Sequence, residues 1–187
     1  GHCRGAIFGD VLSNLLKFNG NKVTKEYYIN DYGNQIRNFV KSVYLRIREI
    51  KFNEKFVNEK DLYPGEYIKE IAKKILTKNK SDFNSLDDNY DLLSKEALNY
   101  SMEMIKNDLN KLGVSHDNFV SEKSIVEKKN VESAIKKLRL TKHVEEGFLD
   151  PPKGEEHKNW KKTKRLIFKS VLFGDDANRA LQKNDGS

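Results

Sequence analysis

The stretch GHCRGAIFGDVLSNLLKFNGNKVTKEYYINDYGNQI, residues 1–36, decides the fold class. Ile7, Val11, Leu12, Leu15 and Leu16 recur every three or four positions, so residues 3–18 read as an amphipathic helix. Asn19-Gly20-Asn21 stops it, with Gly20 suited to the left-handed position just past a helix end. Residues 22–29 (KVTKEYYI) are rich in β-branched and aromatic types and read as a strand. After the loop Asn30-Asp31-Tyr32-Gly33, a second helix is marked by Ile36, Phe39, Val40, Val43, Tyr44, Ile47 and Ile50. Helix followed by strand is half of a βαβ unit, whose first strand would precede Gly1. An α/β fold is therefore expected.

Gly1 and His2 fall at the start of that first helix, where unpaired N–H groups and the positive end of the dipole attract phosphate. Gly1 has no side chain to hold the backbone away from a flat base. His2 can donate a hydrogen bond to a phosphate or another substrate group, and Gly5 would let the helix pack tightly on its sheet. Taken alone, these few residues do not separate a ligand contact from a structural histidine.

The middle of the chain is helical. Ile68, Ile71, Ala72, Ile75 and Leu76 predict one helix after the Tyr63-Pro64-Gly65 turn; Leu93 to Leu112 predict another, closed by Gly113. Val131, Ala134, Ile135 and Leu138 predict a last one, preceded by an extended Phe119-Val120 and by Ser121 as a cap. Beyond Val144 the pattern changes to short strands at 144–149, 166–173 and 180–183. Pro151-Pro152-Lys153-Gly154 and Gly174-Asp175-Asp176 separate them. The opening at Gly1 and the ending Lys183-Asn184-Asp185-Gly186-Ser187 lead to the expectation that sequence continues on both sides.

Of the 187 residues, 37% are hydrophobic and 34% charged, enough for a core beneath a heavily solvated surface. No apolar run approaches the roughly 18 to 20 residues of a membrane span, and no leader is recognisable. One cysteine, Cys3, excludes an internal disulfide and points to a reducing, cytoplasmic setting. His2, His116, His143 and His157 are too scattered for metal-ligand spacing, so no zinc site is expected. The net charge of +7 favours a polyanionic partner, although a Lys- and Asn-rich composition produces a basic balance by itself. The densest basic patch, Lys158, Lys161, Lys162, Lys164 and Arg165 around Trp160, reads either as an RNA-backbone contact or as a solvated face.

Several motifs in one order resemble the bacterial arginyl-tRNA synthetase family. In that family a His-x-Gly-His motif leads into an Arg-Gly-Ala helix containing Gly-Asp, then a strand ending Tyr-Tyr-Ile-Asn-Asp, then Gly-x-Gln-Ile. Here these are Gly1-His2, Arg4-Gly5-Ala6, Gly9-Asp10, Tyr27 to Asp31, Gly33 and Gln35-Ile36. Tyr63-Pro64-Gly65, Gly113-Val114 with Phe119 to Glu122, Trp160, Phe168-Lys169-Ser170 and Phe173 to Asp176 continue the series. Cys3, Thr163 and Arg165 depart from the family's usual residues.

The resemblance implies part of a class I, Rossmann-like catalytic domain with a mainly helical connective insertion. Residues 1–40 would belong to the nucleotide-binding half, 41–165 to the insertion, and 166–187 to the return towards the catalytic sheet. It also implies ATP with Mg2+ as a substrate complex, L-arginine and tRNA(Arg) as partners, and a monomer when full length. Gly1 would pack on adenine, and His2 would touch ATP or arginine as the catalytic contact. Lys161, Lys162 and Lys164 are the candidates for tRNA contact. Asp31 and Gln35 line the cleft at the strand's carboxyl end, or else Asn30-Asp31 forms a turn and caps the following helix. Two other classes stay open: another adenylate-forming or nucleotidyl-transfer enzyme with this helix start, and a non-enzymatic basic RNA-binding module.

Overall fold

A computed structural model describes residues 2–149 and 163–181. The chain divides into two compact units, Gly1–Ser124 and Ile125–Ser187.

In the first unit, helix α1 spans His2–Phe18. Gly20 takes φ +82° just beyond it, and the N–H of Gly20 reaches the carbonyl of Lys17 at 3.0 Å. Strand β1 covers only Glu26–Ile29, shorter than the expected 22–29. Its partner explains the late start. β2 (Asn118–Ser121) runs parallel to β1 in the register Glu26↔Asn118 to Ile29↔Ser121. Immediately before that register the Lys25 carbonyl accepts the N–H groups of Asp117 (2.8 Å) and Asn118 (3.1 Å), while the Lys25 N–H donates to the Asp117 carboxylate at 2.7 Å. No further strand length is available to pair with residues 22–24.

Parallel neighbours need a long crossover, and here it is a helical bundle: α2 (Asn34–Phe52), α3 (Glu66–Lys78) and α4 (Leu86–Lys111). Its apolar stripes meet as the periodicity predicts. Phe39, Val40, Val43 and Ile47 of α2 pack with Ile68, Ile71, Ala72 and Ile75 of α3 and with Leu93 and Ala97 of α4. α4 begins seven residues before Leu93, because Ser85 caps it by accepting the Asp88 N–H and a polar first turn containing Asp87 and Asp88 suits the positive helix end.

The connections are pinned by polar groups on α2. Ser42 accepts the N–H of Tyr63 at 2.9 Å. Arg46, 8% exposed, donates to the Pro64 carbonyl at 2.8 Å and lies over the Phe56 ring at 3.8 Å. Arg48 donates to the carbonyl of Phe83 at 3.2 Å, and Lys51 to those of Ser81 and Asp82, both at 2.8 Å. α1 differs from the bundle helices. None of its residues is buried, and Ile7, Phe8, Val11, Leu12, Leu15, Leu16 and Phe18 are exposed. Among the described residues, nothing lies within 4 Å of where a Cβ on Gly5 would sit.

The second unit holds α6 (Asn130–Leu140), which lies against β3 (Val144–Gly147). β3 pairs antiparallel with β4 (Arg165–Phe168), and β4 with β5 (Arg179–Ala180). Between the units' elements in sequence lies a short helix, α5 (Glu122–Glu127), which periodicity missed because it is too brief to show a stripe. The expected strand 166–173 is corrected: it ends at Phe168, and Ser170–Phe173 form a 3-10 turn. Gly174, at φ +93°, and the Ser170 hydroxyl, donating to the Ala177 carbonyl at 2.7 Å, fold the chain back to supply β5. The loop at 151–154 and the last residues of the expected strand 180–183 lie outside the described residues.

Candidate functional site

His2 stands exposed in the first turn of α1, and that turn contains no acidic residue. The N–H groups and positive dipole end are therefore uncompensated by any carboxylate of the helix itself. Gly1 lies outside the described residues.

Halfway along α1, Asp10 pairs with the Lys25 ammonium at 2.7 Å, with each side chain 13% exposed. That ammonium, through its hydrogen bond and charge, holds the Asp10 carboxyl below its ordinary range, and the Asn14 amide assists. A depressed carboxyl stabilises the fold above its unfolded pKa. The contribution is lost as pH falls through the lower, folded value, so neutral pH keeps the link and strong acid breaks it. Lys25 joins α1, the start of β1 and, through Asp117, the approach to β2. Sequence reading passed over this lysine, since nothing local marks it.

At the carboxyl ends of the two parallel strands, Asp31 and Ser121 meet. The Ser121 hydroxyl donates to one carboxylate oxygen of Asp31 at 2.6 Å, and the backbone N–H of Lys123 donates to the other at 2.9 Å. Ser121 Oγ in turn accepts the Ser124 N–H at 3.0 Å. Together they cap α5. The cap expected of Asp31 on the following helix is thus corrected: α2 has Gly33 at its cap position with no side-chain cap bond, and the parallel register Ile29↔Ser121 instead brings Asp31 to Ser121, 90 residues away, at the start of α5. Likewise Ser121 caps α5, not the later α6. Gln35 accepts a hydrogen bond from the Asn30 amide at 2.9 Å, so both candidate cleft residues stand at this strand end with defined partners. Doubly wound sheets bind their ligands at this end of the strands.

Losing the Asp31 carboxylate leaves the Lys123 N–H of α5 and the Ser121 hydroxyl without their acceptor. Asp31→Ala is expected to cost about 1 kcal/mol, within the ~0.5 to 2 of a helix cap. A urea melt with an unshifted midpoint would contradict the capping role.

Of the basic patch, Lys158, Lys161, Lys162 and Trp160 lie outside the described residues, as does His157. Lys164 is paired with Glu146 at 2.8 Å. His116 packs edge-on to Tyr27 with ring centres 5.4 Å apart, and beside Phe119 at 6.0 Å; His143 meets Phe173 at 5.0 Å. Among the described residues, no group of three or more His, Cys, Asp or Glu could hold a metal ion. No helix among them is long and apolar enough to cross a membrane.

Residues 1–147 match the family described as tRNA synthetases class I (R), catalytic domain. The whole chain is 53% identical to an arginine–tRNA ligase of Pelagibacter ubique and 49% identical to one of Wolbachia pipientis wMel, in each case spanning 33% of the relative's length. A crystal structure from Campylobacter jejuni, described as an arginyl-tRNA synthetase, superimposes with a TM-score of 0.78 at 29% identity, over 100% of this chain and 38% of that one.

Proposed function

Since the chain belongs to the class I (R) tRNA synthetase catalytic-domain family, we propose that it contributes to ATP-dependent ligation of arginine to tRNA(Arg). One observation carries the reading: the similarity to arginine–tRNA ligases runs through all of the chain, at 53% identity. In the first step a carboxylate oxygen of arginine attacks the α-phosphorus of ATP. The bond to the bridging oxygen breaks, and pyrophosphate leaves with Mg2+ as part of the substrate complex. In the second, a hydroxyl of the terminal tRNA ribose attacks the arginyl carbonyl, loses its proton, and AMP departs. Such a reaction asks the protein for positioning and charge stabilisation.

Gly1 and His2 are proposed to bind ATP, with His2 also reaching arginine; the first turn of α1, which has no acidic residue, supports the role of His2. The Lys25–Asp10 pair shows that the chain leaving α1 at Phe18 has doubled back by Lys25 to the level of mid-helix. From Asp10 to His2 is about 12 Å of helix, and from Lys25 to Ile29 about 13 Å of strand. A β1 that keeps this direction would bring Asp31 and Gln35 level with His2. The division into a nucleotide-binding part (1–40), an insertion (41–165) and a return (166–187) is proposed with the bundle as the insertion's bulk, β2 reaching back to β1 from within it. Lys161, Lys162 and Lys164 are proposed to touch tRNA, and the full-length enzyme to act as a cytoplasmic monomer. A chain whose one cysteine is an exposed thiol suits a reducing compartment.

The test is a chimera in which these residues replace the matching third of the Pelagibacter ubique relative. It is expected to exchange pyrophosphate into ATP only when arginine is present. Exchange driven by another amino acid, or tRNA affinity with no exchange at all, would overturn the proposal.

A further inference from the structure

Cationic charge is unevenly distributed. The second compact unit, Ile125–Ser187, carries fifteen Lys and Arg against ten Asp and Glu, and so holds +5 of the chain's net +7. Lys128, Lys129, Lys136, Lys137 and Lys142 on α6 and its flanks are all exposed. None has an ion-pair partner among the described residues, whereas Arg139, Lys164 and Lys169 are matched to Glu146 and Glu145. The half-buried residues of α6 are Ile135 and Leu138, and the helix lies against β3. At roughly 100° per residue, Lys136 and Lys137 lie about 130° around the helical wheel from the midpoint between Ile135 and Leu138, on the side turned away from them.

Helix stability does not account for this arrangement. Lysines 128 and 129 sit at the N-terminal end, where the dipole disfavours cations, and Lys129 occupies the cap position at φ +54° with no side-chain cap bond. Charges that work against the helix need another compensation, and a polyanion supplies it. We infer that the lysine-rich face of α6 binds the phosphodiester backbone of RNA. This rests on the reading above only for the identity of the RNA. A lipid surface fits less well, because an interfacial helix needs a continuous free apolar face, whereas Ile135 and Leu138 are half-buried and the exposed Val131 and Leu140 lie on opposite sides of the wheel. Lysines act here as point charges, which attach to phosphates without selecting bases.

The test compares two variants of the 187-residue chain, each losing four charges. In one, Lys128, Lys129, Lys136 and Lys137 become Gln. In the other, Lys41, Lys74, Lys78 and Lys111 become Gln, each already paired with a carboxylate. Binding of a transcribed tRNA(Arg) across a salt series is expected to lose up to about 3 units of log–log slope in the first variant and little in the second. The matching Lys→Arg variant should keep the slope, which separates charge from folding. Equal losses in both Gln variants would mean diffuse net charge and overturn the inference. So would an unchanged slope, or lost binding to phosphatidylserine vesicles with RNA binding intact. Arginine-dependent exchange by the chimera, measured in parallel, reports on the ligase reading alone: its absence beside a reduced RNA slope would fail that reading and leave this surface standing.

Discussion

Replacing His2 with alanine in the chimera is expected to lower kcat for arginine activation by about 10² to 10³-fold, or ~2.7 to 4 kcal/mol, as for loss of one donor that serves the transition state. Phosphate charge shifts as the α-phosphorus exchanges one oxygen for another. A donor at a helix start, beside free N–H groups and with no carboxylate in the turn to oppose it, gains most at that moment. The loss should therefore fall on kcat more than on KM for ATP. His2 is exposed, so the melting curve should barely move. Lys22→Ala, another exposed position, is the control. His116 would be a poor one, because its ring is packed against Tyr27 and Phe119. Equal exchange rates for the His2 and Lys22 variants would reduce His2 to a surface residue.

The largest expected loss of stability comes from Phe83. Its side chain is fully buried in the bundle core although it belongs to the α3–α4 connection, with φ +58°. Truncating a buried Phe to Ala costs about 3 to 5 kcal/mol, much of the roughly 5 to 15 available to a whole domain. The Arg48 bond to the Phe83 carbonyl would survive, since it uses the backbone. The connection should therefore stay near α2 while the core beneath it empties. Phe18→Ala, at 94% exposure, should stay within about 0.5 kcal/mol of the parent. Urea unfolding of the two variants decides: equal midpoints would place the Phe83 ring outside the cooperative core.

Phe83 also marks the limit of what periodicity can reveal. The α2 stripe and the Ile68-Ile71-Ala72-Ile75 stripe were legible because burial repeats with the helical turn. A lone aromatic in a connection repeats with nothing, and only its neighbours in space identify it as core. The same holds at the strand ends. Asp31 looked like a local turn-former, and a local partner was the natural expectation for it. Its real partners, Ser121 and Lys123, come from the parallel register of β1 and β2, which no local pattern encodes. α1 shows the reverse case. Its stripe was legible and its helix formed, yet the stripe stays exposed, because amphipathicity specifies a buried face without specifying what covers it.

The pairing of β1 with β2 has a consequence for the order in which the chain acquires its structure. Glu26 and Asn118, joined side chain to side chain, stand 92 residues apart, and closing so long a loop from an open chain carries an entropic cost that grows with its length. The bundle between them has no such burden, since its helices follow one another and meet through near neighbours. Once it has condensed, most of those residues are already fixed, and only the short tethers at either end must still be ordered for the strands to find each other. Contacts of this range are slow to form. The Asp31–Ser121 corner should accordingly be the last part of the first unit to assemble, with amide protection appearing in α2 to α4 before it appears at Lys123.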